Sequence, residues 1–134
     1  MNFLNDEKIY FVLHDCCFDS IEITSFGLIL NFENGIYIAD NNDDYKLSKE
    51  CKLELYIDDL KGNEDCHISI IKFKKTRRID VSFNEFLNLL RKGKFRVYLD
   101  FYSNFAKAIY IKGNIDNTEI EMIVTEIEDL LIKF

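Results

Sequence analysis

The stretch Phe26-Gly27-Leu28-Ile29-Leu30-Asn31-Phe32-Glu33-Asn34-Gly35-Ile36-Tyr37-Ile38 decides the fold class. Leu28, Leu30 and Phe32 alternate with Asn31 and Glu33, the period of a half-buried strand. Asn34-Gly35 then separates that run from Ile36-Tyr37-Ile38. An Asn-Gly pair between β-rich runs predicts a hairpin with a type I′ turn, which needs positive φ at both central residues.

The same period continues on both sides. Ile9 to Asp15 reads as a first strand, and Ile21 and Ile23 alternate with Glu22 and Thr24. Cys51, Leu53, Leu55 and Ile57 alternate with Lys52, Glu54 and Tyr56, and His67 to Phe73 is a further strand. Residues 39–49, with Asp40, Asn41, Asn42, Asp43 and Asp44, read as a loop. Phe95, Val97, Leu99 and Phe101 alternate with Arg96, Tyr98, Asp100 and Tyr102. A short Ser103-Asn104 turn would lead into Phe105 to Lys112. That register sets Asp100 opposite Lys107, and Ala106 and Ala108 against Phe101 and Leu99.

One helix is well marked, over about residues 82–92. Phe83, Phe86, Leu87 and Leu90 fall on one helical face. Ser82 and Glu85 form a capping box, and Val81 can staple onto Phe86. Arg91 and Lys92 suit the negative end of the helix dipole, and Gly93 supplies the stop. Residues 118–134 fit either a helix, with a capping box at Thr118 and Glu121, or two strands rich in β-branched residues. The expected architecture is α+β: an antiparallel sheet of six or more strands with one or two helices packed on it.

The chain has 134 residues, the length of one domain, and 48% of them are hydrophobic. Residues 1–134 are therefore expected to form a single domain around a self-sufficient core. Met1 to Lys8 lacks the basic start and apolar core of a signal peptide, and no apolar run is long enough to span a bilayer. The expectation is a cytoplasmic chain with no membrane partner. Cys16, Cys17, Cys51 and Cys66 would stay reduced there as core or near-core thiols.

Charge is split along the chain. Residues 1–70 hold 5 Lys/Arg against 15 Asp/Glu, residues 71–115 hold 11 against 3, and residues 116–134 hold 1 against 6. The three nets, −10, +8 and −5, sum to the −7 of the whole chain. Asp40, Asp43, Asp44, Asp58, Asp59, Glu64 and Asp65 lie in or beside two loops, where they would steer a basic partner. Tyr98 and Tyr102 could add aromatic contact. The basic block Lys72 to Arg78, beside Phe73, offers a nucleic-acid alternative, and the acidic whole weighs against it.

Catalytic signals are thin. His14-Asp15-Cys16-Cys17 and Cys66-His67 would be the parts of a metal- or thiol-dependent enzyme. No C-x-x-C or H-x₃₋₅-H spacing supports a metal, and no Gly-rich loop supports a nucleotide. The reading is a non-enzymatic chain without cofactor or metal.

Leu13-His14-Asp15, Ile21-Glu22-Ile23 and Leu28-Ile29-Leu30-Asn31-Phe32 together resemble the opening of small β-rich bacterial immunity proteins, which neutralise polymorphic or contact-dependent toxins. Cys16-Cys17 departs from that pattern, where a small polar residue is expected. The resemblance implies a non-enzymatic inhibitor, a C-terminus made of strands, and His14 and Asp15 as a structural pair; the clustered carboxylates fit a basic toxin as its partner.

Overall fold

The computed structural model describes residues 2–4, 9–39 and 44–134. Its strands assemble into three antiparallel sheets.

The N-terminal sheet holds β1 (Asn2–Leu4), β2 (Ile9–Val12), β6 (Tyr37–Ala39) and β7 (Lys46–Leu47), in that spatial order. The large sheet has six strands: β10 (Arg77–Val81), β9 (Ile68–Lys74), β13 (Thr118–Val124), β12 (Ala108–Ile115), β11 (Phe95–Ser103) and β3 (Cys17–Phe18). The back sheet orders β14 (Asp129–Lys133), β8 (Cys51–Tyr56), β5 (Gly27–Phe32) and β4 (Ser20–Ile23). The described residues also form two helices, the single turn α1 (Glu64–His67) and α2 (Phe83–Leu90).

One contiguous apolar cluster joins these parts. Ile68, Ile70, Ile109, Ile111, Ile120, Met122 and Val124 come from the large sheet, Leu28, Leu30, Leu53 and Leu55 from the back sheet, and Phe83, Phe86 and Leu90 from α2. Phe18 sits at their junction, stacked on Phe95 at 4.8 Å and edge-on to Phe32 at 5.7 Å. Such aromatic pairs add to the burial of their surface.

The helix forms as its caps require. Ser82 Oγ accepts from Glu85 N at 3.1 Å. Asp65 Oδ1 accepts from Phe83 N at 2.8 Å, so a carboxylate from α1 satisfies a further first-turn donor. Gly93 departs from its expected role: it does not adopt positive φ. A Cβ there would lie 2.9 Å from Asp116 Oδ1, a contact that a small shift of the exposed Asp116 side chain would relieve.

The Asn34-Gly35 hairpin is overturned. β5 pairs with β4 and β8, while β6 pairs with β2 and β7, so the turn hands the chain from one sheet to another. Only Gly35 has positive φ, +81°. A Cβ on it would meet Ser48 O at 2.2 Å, and Ser48 Oγ accepts from Ile36 N at 3.0 Å. The returning Ser48–Lys49 backbone occupies the space a β5–β6 hairpin would need.

The β11–β12 register also differs from expectation. The turn spans residues 104–107, with Lys107 at φ 54°, and Ser103 pairs with Ala108. Asp100 therefore lies opposite Ile111, Phe101 opposite Tyr110 and Leu99 opposite Lys112, so Asp100 does not pair with Lys107, and Ala106 and Ala108 do not face Phe101 and Leu99. A bulge at Tyr98 inserts one residue between Val97 and Leu99 and reverses the alternation beyond it. Phe95 and Val97 are buried, whereas Leu99 and Phe101 are 55% and 58% exposed, and Tyr102 turns inward instead.

Residues 118–134 are strands: β13 pairs with β12 and β9, and β14 pairs with β8. His67 ends α1 rather than opening a strand, and Ile9–Val12 stops short of Asp15. No described helix is long and apolar enough to cross a membrane.

Candidate functional site

His14 and Asp15 form a turn that docks on β11 at its bulge. Asp15 N donates to Val97 O at 2.8 Å, and Val97 N donates to Cys16 O at 2.9 Å. His14 Nδ1 donates to the Tyr98 carbonyl, and its Nε2 lies 3.4 Å from Asp15 Oδ2. Asp15 Oδ1 accepts from Arg96 at 3.1 Å. Asn2, 1% exposed, completes this seam: its Oδ1 accepts from Tyr102 N at 2.6 Å and its Nδ2 donates to Asp100. Burial pushes the Asp100 carboxyl above the usual carboxylate range, against the backbone N–H of Leu13 and the Asn2 amide, which favour the charge. The outer edge of β11 is thus covered by side chains from the first fifteen residues.

The thiols are dispersed. Cys16 and Cys51 are buried, Cys17 is half-buried and Cys66 is exposed, so Cys66 lies outside the core. Burial pushes the Cys16 thiol up to about 11, and burial raises Cys51 as well. Nucleophilic thiol chemistry needs the thiolate, which Cys16 does not supply at neutral pH. His67 turns to another part of the fold: its carbonyl accepts from Thr125, and its Nδ1 is 3.4 Å from Glu126. Among the described residues no three His, Cys, Asp or Glu side chains gather as metal ligands.

The basic block forms the β9–β10 hairpin. Lys74 pairs with Arg77 across a turn in which Lys75 has φ 59°. Arg78 and Lys112 lie over the Phe73 ring, at 5.5 and 5.8 Å from its centroid. Both cations therefore stand within cation–π reach of the Phe73 ring.

Folding rearranges the split charge. Arg78 meets Glu121, Lys94 meets Glu33, Arg96 meets Asp15, Lys107 meets Glu128 and Lys112 meets Glu119. Each of these five pairs joins the basic middle of the chain to one acidic end. Exposed pairs contribute only about 0–1 kcal/mol apiece. They take up five of the eleven cations of residues 71–115, and within Lys72 to Arg78 they take up Arg78 alone among the described residues.

The acidic residues expected to bind a partner divide into groups. Asp40 and Asp43 lie outside the described residues. Asp44 is exposed before β7. Asp58 and Asp59 form an exposed turn after β8, with Asp59 at φ 54°. Glu64 Oε1 accepts from Gly62 N, and Asp65 is committed to capping α2. Tyr98 is exposed, while Tyr102 is buried and packs against Phe11, its hydroxyl donating to Asn104.

Next to Asp58 and Asp59, Phe26 stacks on Tyr56 at 4.6 Å, and Asp129 is the cross-strand neighbour of Tyr56. A second acidic group lies along β4. Asp19, Glu22, Glu33 and Glu50 line one shallow groove with Ser20, Asn31 and Lys52. Periodicity did place Glu22 on a solvent face, but only the β4–β5–β8 pairing brings the four carboxylates together. The exposed Leu99, Phe101 and Phe105 were equally hidden, because nothing in the alternation announces the Tyr98 bulge.

In comparisons with known proteins, no protein family, no curated sequence and no solved structure matches the chain, so function rests on this surface and its chemistry.

Proposed function

We propose that this chain is a non-enzymatic protein-binding module of the immunity type, which holds a basic toxin-like partner in the bacterial cytoplasm. One observation carries the reading. Carboxylates at Asp44, Asp58 and Asp59 are exposed and without an ion pair among the described residues. The stacked Phe26–Tyr56 pair lies beside two of them and supplies aromatic contact area. An exposed acidic surface on a rigid sheet accelerates encounter with a cationic protein. A toxin that must hold a polyanion is such a protein.

Replacing Asp44, Asp58 and Asp59 together by asparagine tests the reading. A protein partner captured with the chain from its native host should associate about tenfold more slowly at low salt, and the salt dependence should flatten. Association at the original rate and salt slope would remove these residues from the interface.

A further inference from the structure

We infer that the open edge of β4 accepts an extended segment of the partner as an added strand, with apolar side chains on one face and lysine or arginine on the other. This rests on the reading of the chain as a binder of a basic protein, and it names where and how that protein docks.

The backbone defines the occupant's conformation. β4 is the terminal strand of the back sheet. Thr24 N donates to Gly27 O at 2.8 Å, so Thr24–Gly27 is a hydrogen-bonded pair. In an antiparallel ladder such pairs alternate, so Glu22 opposite Ile29 and Ser20 opposite Asn31 also turn their backbone groups toward β5. Ile21 and Ile23 then direct their N–H and C=O away from the sheet, and β4 has no second strand neighbour among the described residues. A row of outward donors and acceptors on an exposed edge is matched by another strand.

Two grooves define its side chains. On the helix side, Ile21, Leu87 and Leu90 line a shallow groove with Asp19, Ser20 and Arg91. On the outer side, Asp19, Glu22, Glu33 and Glu50 line the acidic groove. Asp19 and Ser20 belong to both, so the grooves meet along β4. Among the described residues, two cations offset the outer carboxylates, Lys52 at 3.9 Å from Glu22 and Lys94 at 3.6 Å from Glu33. Residues directly opposite each other on paired strands point to the same face. A residue set against Ile21 would enter the Leu87–Leu90 groove, while its neighbours, set against Ser20 and Glu22, would face the carboxylates. That favours an alternating apolar and basic strand over a neutral or acidic one.

The test uses the full chain and a capped peptide of alternating lysine and valine, followed by amide hydrogen exchange. At about 1 mM peptide, where even weak strand addition is populated, the Ile21 and Ile23 amides should gain protection, and those of Ser20 and Glu22 should change little. A peptide of the same charge with alternate amides N-methylated should bind roughly tenfold more weakly, as expected for lost main-chain hydrogen bonds. If both peptides bind equally, strand addition is overturned while attraction to an acidic surface stands. If neither peptide protects Ile21 and Ile23, strand addition is overturned, and the asparagine variants at Asp44, Asp58 and Asp59 decide the broader reading separately.

Discussion

Phe95→Ala is expected to cost about 3–5 kcal/mol of stability, the usual range for deleting a fully buried aromatic ring. Phe95 is fully buried, stacked on Phe18 at 4.8 Å and edge-on to Phe86 at 6.0 Å. It therefore joins β3, α2 and the large sheet at one point. The cavity left by alanine cannot collapse readily, because strands on one side and the helix on the other hold its walls. A loss of this size is a large share of a typical domain's stability. Urea unfolding should show a much lower midpoint with little change in slope. A midpoint within error of the original would mean that these layers do not share the core.

The second large effect is expected at Gly27, where β4 turns into β5. Its φ is +153°, which L side chains rarely adopt, and a Cβ would lie 2.0 Å from Leu55 O and 2.8 Å from Ile57 N. Gly27→Ala must force β5 away from β8 or break the Thr24–Gly27 turn. Strain at a disallowed φ and overpacking each cost about 1–3 kcal/mol, so a combined loss of about 2–6 kcal/mol is expected. Because the same turn sets the direction of β4, the variant should also lose protection of the back-sheet amides before it unfolds globally. Native exchange at Leu28, Leu30 and Leu55 in the variant would show that the backbone approach is looser than described.

How much of this fold was legible depended on how local each instruction was. The helix could be read because Ser82, its apolar face and Arg91 all lie within one short stretch. Most strands could be read because their burial follows the period-two pattern, as in Cys51–Tyr56. Pairing was less legible. Asn34-Gly35 carries a hairpin signal, but the returning Ser48–Lys49 backbone occupies the space beside it. The Tyr98 bulge exposes Leu99 and Phe101, and it is held by His14 and Asp15, which lie more than eighty residues away in sequence. For residues 118–134, helical spacing competed with β-branched composition, and the open positions beside β9, β12 and β8 accepted strands.

The candidate site divides in the same way. Asp58 and Asp59 could be named from sequence because a turn and its charges are local. The groove of Asp19, Glu22, Glu33 and Glu50 could not, since its members reside on separate strands or their ends. The charge split itself changed meaning on folding. Five of the eleven cations in its basic middle pair with Glu33, Glu119, Glu121, Glu128 and Asp15, while Asp44, Asp58 and Asp59 stay exposed and outside any ion pair among the described residues.

The most direct test of the central claim is the hydrogen-exchange footprint of the captured partner on the intact chain. The account predicts protection at Ile21 and Ile23 and at Asp58 and Asp59, with the Lys74 to Arg78 hairpin unchanged. Protection confined to that hairpin, or to Leu99 and Phe101 on the large sheet, with the acidic surface unprotected, would contradict it.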